Sequence, residues 1–284
     1  MIKSMTAYGK CTIQLADKKI NIEIRSLNSK GLDLNMRAPS AYKAHELSFR
    51  KKIASAVERG KIDFSLYIEK TGVDTISQIN TPVIQAYIEE LKNITNISGE
   101  KALEIAMRLP ESLSSSKEEI EADELNQINS GIDQALEAFN TFREEEGAAL
   151  AEDFNQRIAS IKSLLDEATE IDVNRLAGIR TRLEKAVADL KENVDQNRFE
   201  QELIFYLEKY DITEEKVRLS NHLDYFIQTM KAESTGKKLG FIAQEIGREI
   251  NTMGSKANDA SLQKIVVQMK DELEKIKEQL LNVL

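Results

Sequence analysis

The sequence predicts an α+β protein: a small sheet-and-helix domain at the N-terminus, then long, mostly antiparallel helices and a helical C-terminal domain. Three observations carry this. Apolar residues recur with a period of two through most of the first seventy positions, the mark of half-buried strands. From Gly72 onward the spacing becomes helical almost throughout. Among 284 residues there are only 3 Pro and 12 Gly and no Trp, while 41% are hydrophobic, a helix-rich composition with material for a core.

The elements follow in order. CTIQLADKKINIEIRSL alternates on either side of Ala16–Lys19, which places a hairpin turn there. Asn28-Ser29-Lys30-Gly31 supplies the next turn, and LDLNMR resumes the period of two. Pro39-Ser40 opens a helix in which Leu47, Ile53, Ala54 and Val57 share a face, and Gly60 stops it. KIDFSLYIEK then closes a β-β-β-α-β unit. Thr81-Pro82 begins another helix, with proline at a position where its missing N–H is harmless. Pro110 and Ser114-Ser115-Ser116 mark a connector. Beyond it, Phe154, Ile158, Ile161, Leu165 and Ala168 step by heptad spacing, as do Leu262, Val266, Met269, Leu273, Ile276, Leu280 and Val283. Such coiled-coil-like seams pack against other helices, within the chain or between subunits. The division expected is a basic platform at 1–72, a long helical region at 73–196 and a C-terminal helical domain with the site at 197–284.

Composition excludes several classes. One cysteine, Cys11, allows no internal disulfide and no paired-thiol zinc or redox site. No apolar run approaches the roughly 18 residues of a membrane span, and MIKSMTAYGK has no signal-peptide core, so a soluble, cytoplasmic protein is expected. The net charge of −9 is unevenly divided. Residues 1–70 hold 14 Lys and Arg against 7 Asp and Glu, a net of +7, and the remainder holds 25 against 41, a net of −16. One surface can therefore attract a polyanion although the whole chain is acidic. Two domains of different composition would give the same division.

The chemistry concentrates between Asn197 and Asp259. Asp211 followed by Glu214 reads as a helix N-cap. On the helix that follows, Glu215, Arg218 and His222 share a face. On the next, Glu245 and Glu249 are one turn apart with Arg248 beside them. Two carboxylates and an imidazole from adjacent helices can hold a divalent cation such as Mn²⁺ or Mg²⁺ with positions left for water. By spacing alone, the commoner readings are a solvated acidic helix face, a surface histidine and a plain Glu215–Arg218 ion pair.

Several motifs together carry a resemblance. SMTAYG at 4–9, RSLNSKGLDLNMR at 25–37 and RGKIDFSL at 59–66 are similar to the YicC/YloC family of bacterial endoribonucleases. So is the C-terminal run NRFEQE, DITEEKVRLSNHLDYF and GKKLGFIAQEIGREINTMGSKAND, while between the two regions only Arg143-x-x-Glu146-Gly147 fits. The resemblance implies a toroidal homo-oligomer, a hexamer, whose channel accepts RNA and cuts it with a divalent metal. Carried over, His222, Glu245 and Glu249 are the metal candidates, with Glu215 as a further ligand and Glu202 and Asp211 beside it in a second acidic tier; His222 is alternatively the general base or acid. Arg218 and Arg248 would neutralise the scissile phosphate. Arg25, Asn28, Arg37, Arg59, Lys61, Lys237, Lys238, Asn251 and Lys256 would contact RNA. Two positions depart from the family pattern: Ala7 replaces Gly in S-M-T-G-[FY], and Gly247 replaces Asn in Q-E-x-N-R-E. The rival functions are a non-catalytic RNA-binding ring or adaptor that presents RNA to another nuclease, and a purely structural coiled-coil protein.

Overall fold

A computed structural model describes residues 2–57, 59–70, 78–114, 120–189, 195–232 and 236–284. The alternating run forms β1 (Ala7–Gln14) and β2 (Lys18–Leu27), joined where the Leu15 N–H donates to the Lys18 carbonyl. Ala7, Gly9 and Cys11 face inward on β1, and Ile20, Ile22 and Ile24 are fully buried on β2. Period-two spacing thus puts one apolar row on the core.

The third strand, β3 (Leu32–Arg37), does not lie beside β2. The chain passes through a 3₁₀ turn (Ser40–His45) and α1 (Glu46–Ala56) into β4 (Gly60–Lys70), and the sheet order is β1-β2-β4-β3. β3 and β4 are parallel, with Leu32 opposite Gly60 and Arg37 opposite Ser65. A parallel pair needs a crossover, and the helix provides it. Gly60 has φ 128°, a conformation open mainly to glycine, and its N–H donates to the Gly31 carbonyl. The helical face also differs from expectation. Because α1 starts only at Glu46, its buried face is Phe49 and Ile53, continued by Val57, and Leu47 is exposed.

After Gly72 the chain is not wholly helical. A short antiparallel pair, β5 (Gln78–Ile79) with β6 (Leu113–Ser114), brackets α2 (Thr81–Ile94) and α3 (Gly99–Ala106). Proline sits in the first turn of α2 as expected. Ser115 and Ser116 of the connector lie outside the described residues.

Next comes α4 (Ala122–Asp189), 68 residues long, then α5 (Gln196–Tyr210), α6 (Thr213–Met230), α7 (Gly236–Lys256) and α8 (Ala260–Leu280). The chain forms two compact units. One comprises Tyr8–Ser26 and Gly31–Phe139. In it β1 crosses the first part of α4 closely: a Cβ on Gly9 would fall 2.1 Å from the Ala135 carbonyl oxygen. Acidic residues of α4 offset part of the basic charge here, Glu124 pairing with Lys18 at 2.7 Å and Asp133 with Lys52 at 2.7 Å.

The other unit comprises Met1–Ala7, Leu27–Lys30 and Asn140–Leu284. Its core joins the second part of α4 to α6, α7 and α8, and both heptad seams are buried within it. The N-terminal segment is tied in as well. The Ser4 N–H donates to the Arg143 carbonyl, the Met5 N–H donates to the Asn282 carbonyl, and a Cβ on Gly147 would meet the Ile2 carbonyl oxygen at 2.2 Å. The SMTAYG and Arg143–Gly147 motifs therefore serve the close packing of the N-terminal segment on α4. The tight approach falls at Gly9 and Gly147, and Ala7 fits its place as a buried residue. Among the described residues no helix is long and apolar enough to cross a membrane.

Candidate metal centre

α6 and α7 pack as an antiparallel pair: Tyr225 meets Lys238, His222 meets Glu245 and Glu249, and Glu215 meets Lys256. The helix α6 begins at Thr213, with Ile212 rather than Asp211 as its boundary residue. Asp211 still serves the terminus from one position earlier, accepting from the Thr213 N–H at 2.9 Å and the Thr213 hydroxyl at 2.6 Å. Those two bonds hold its carboxyl below the ordinary range. Glu214 does not close a capping box and instead pairs with Arg218.

The spacing on α7 sorts its residues cleanly. Leu239, Ile242, Ala243, Ile246, Ile250 and Met253 are buried, while Lys238, Phe241, Glu245 and Arg248 lie on the outward stripe. Glu249 falls at the border between the two and is only 5% exposed. His222 projects from α6 toward the same border and is half-buried. One ligand atom from each of His222, Glu245 and Glu249 can be chosen so that all three lie within 4.8 Å of one another.

Such a set suits a divalent cation. Two carboxylate oxygens and an imidazole nitrogen are ligands for Mn²⁺ and acceptable ones for Mg²⁺, and three protein ligands leave positions for water or substrate. The electrostatics point the same way. Among the described residues no lysine or arginine pairs with Glu249, and a buried carboxylate beside a second carboxylate is costly without a compensating charge. Arg248 lies 3.8 Å from Glu245 with its side chain 73% exposed, too loose an ion pair to neutralise the group.

Other sequence candidates lie elsewhere. Glu215 is outside the three-residue cluster: its carboxylate is buried and pairs with Lys256 at 2.7 Å, while its Oε2 accepts no hydrogen bond among the described residues. The expected Glu215–Arg218 pair is not formed, since Arg218 takes Glu214 and Glu215 takes Lys256. Lys256 is thereby engaged inside the fold. Lys237, Lys238 and Asn251 are exposed on α7, and Glu202 is exposed on α5. Asn28 donates to the Leu281 carbonyl. In the other unit, Arg25 pairs with Glu23 at 2.9 Å and lies over the Tyr8 ring, whereas Arg37 and Lys61 are exposed along β3 and β4 and Arg59 is partly buried.

Two features escaped the sequence. A buried cluster links Asp172 and Arg175 of α4 to Lys216 of α6, and Arg175 also donates to the carbonyls of Tyr210 and Lys256. Their i, i+3 spacing on α4 is indistinguishable from a surface pair. Tyr225 and Phe241 flank the three-residue cluster, and nothing in their spacing separates them from core aromatics. Gly247 faces away from the cluster: a Cβ there would lie 3.1 Å from Cδ2 of Leu273 on α8. Its departure from the family pattern therefore falls on helix packing.

Fold and centre together define an α+β protein with a candidate cation centre in a helical hairpin. The chain belongs to the endoribonuclease YicC-like family: residues 2–152 match its N-terminal region and residues 167–284 its C-terminal region. It is 30% identical over 293 residues to a probable endoribonuclease YicC of Clostridioides difficile (strain 630), covering all of both chains. It is also 30% identical over 287 residues, again covering all of both, to a probable endoribonuclease YicC of Haemophilus influenzae (strain ATCC 51907 / DSM 11121 / KW20 / Rd).

Proposed function

We propose that the protein is an endoribonuclease whose cutting site is the His222, Glu245 and Glu249 cluster, loaded with Mn²⁺ or Mg²⁺. One observation carries this reading: an imidazole and two carboxylates converge within 4.8 Å, one carboxylate being buried without a cationic partner among the described residues, in a chain of this family. The bound cation would supply Lewis-acid polarisation of a phosphoryl oxygen and a more acidic water. The protein's own groups do the rest. Burial fixes Glu249, while the half-exposed Glu245 can adjust as RNA enters. Arg248, with its guanidinium in solvent, offsets charge that develops on the phosphoryl group. Its weak tie to Glu245 leaves it free to do so.

RNA affinity in this reading comes partly from Arg37 and Lys61, exposed on β3 and β4 within the 1–70 segment of net positive sequence charge. The assembly is a homo-oligomer, with a hexamer as the expected size. Since both seams are buried within the chain, its contacts must use other faces, for which Ile204 and Phe205, exposed on α5, are suitable. A non-catalytic RNA-binding adaptor is the second reading, favoured by the fact that Arg37 and Lys61 need no cation to hold phosphate. One experiment separates the two. Purified full-length protein is incubated with end-labelled RNA in Mn²⁺, in Mg²⁺ and in EDTA. Internal cuts that require a divalent cation support the enzyme, and binding without cutting in every metal supports the adaptor.

A further inference from the structure

We propose that Tyr225, Lys238 and Phe241 form a stacking platform that takes an unpaired nucleotide two to three positions from the scissile phosphate. This rests on the reading of the neighbouring cluster as the cutting site. Tyr225 lies three residues past His222 on α6, so it emerges on nearly the same face, and it is 44% exposed. The Lys238 ammonium sits 4.9 Å from the centre of the Tyr225 ring. Phe241, 57% exposed, is one turn before Glu245 on α7 and belongs to its outward stripe. Two exposed aromatic rings and an ammonium thus border a centre suited to phosphate chemistry.

The chemistry of this face selects its occupant. Aromatic faces stack on any nucleobase, and an ammonium held against a ring meets the phosphate that follows. At 1.5 Å rise per residue, Phe241 lies about 6 Å and Lys238 about 10.5 Å along α7 from Glu245. With stacked nucleotides spaced at about 3.4 Å, those are distances of roughly two and three nucleotides. Bases inside a duplex are covered on both faces by their neighbours, so the platform favours single strands. A subunit contact is the rival occupant. The exposed cations on the same stripe, Lys237, Lys238 and Arg248, complement a polyanion better than they would an acidic copy of this chain.

The test uses the full-length protein and RNA oligonucleotides carrying 2-aminopurine at each position in turn, single-stranded or annealed, with binding read in EDTA. Wild type should quench the probe at one or two adjacent positions of the single strand. Tyr225→Phe should keep that quench. Tyr225→Ala and Phe241→Ala should abolish it and weaken single-strand binding roughly tenfold each, within the range for one stacked base, while duplex binding changes far less. Unchanged quench and affinity in both alanine variants would overturn the platform, as would a smaller particle in light scattering, which would make this face a subunit contact. In both cases metal-dependent cutting by the wild type would leave the proposed function standing. A wild type that neither binds nor cuts RNA would remove that function and the platform with it.

Discussion

Replacing Glu249 with Gln should make the cation-free protein more stable. The carboxylates of Glu245 and Glu249 offer oxygens within 4.8 Å of each other. Two unit charges at that distance repel by about 0.9 kcal/mol in bulk water and about 3.5 kcal/mol at an effective dielectric of about 20. Glu249 is buried but the Glu245 side chain is 49% exposed, so solvent screening places the expected gain at about 1–2 kcal/mol. Glutamine has similar helix propensity and nearly the same shape, so little else changes. The assay is urea unfolding monitored by circular dichroism, in EDTA and in a Mn²⁺ series. In EDTA the variant should unfold at higher urea than wild type. Added Mn²⁺ should stabilise wild type by an amount that grows with the logarithm of concentration once above Kd, and should leave the variant unmoved. A variant less stable in EDTA, together with a wild type indifferent to Mn²⁺, would refute the electrostatic argument.

Lys256→Met strands the buried Glu215 carboxylate and should cost about 2–4 kcal/mol, less than a fully buried pair because Lys256 is 30% exposed; adding Glu215→Met should recover most of the loss in urea unfolding. Gly147→Ala drives a Cβ to 2.2 Å from the Ile2 backbone oxygen and should lower the unfolding free energy by about 2 kcal/mol or more, whereas Gly178→Ala on the same helix meets nothing within 4 Å among the described residues and should gain about 0.5–1 kcal/mol. Asp211 has a folded pKa below its unfolded value, so the charge-dependent part of its contribution is present above about pH 4 and is lost as pH falls through the lowered native value; Asp211→Ala should cost at most about 1 kcal/mol at pH 7 and less at the acid limit, read from unfolding across pH.

Much of this was legible because it depends on local spacing. Ile20, Ile22 and Ile24 announce a buried strand face, Pro82 a helix start, and the two heptad runs a helical core. Glu245 and Glu249 share a face by arithmetic, and His222 joins them because α6 and α7 pack against each other. What local pattern does not encode is the choice of partner. The place of β4 between β2 and β3, the pairing of Glu215 with Lys256 in place of Arg218, and the Asp172–Arg175–Lys216 cluster all depend on residues far apart in sequence. Spacing alone puts Leu47 on the buried face for a related reason. The face of a short helix shifts with its start, and the 3₁₀ turn before α1 delayed it. Gly247 shows the same limit, since its orientation toward Leu273 follows from the position of α8.

The central claim is that His222, Glu245 and Glu249 hold the cation that cutting requires. It is tested most directly by single-turnover cleavage of labelled RNA in saturating Mn²⁺, comparing wild type with Glu249→Gln and Glu245→Gln at matched oligomer size and measured RNA affinity. The account predicts that both variants bind RNA as well as wild type or better, while the cleavage rate falls by orders of magnitude. Cleavage at the wild-type rate with unchanged Mn²⁺ dependence in both variants would contradict it.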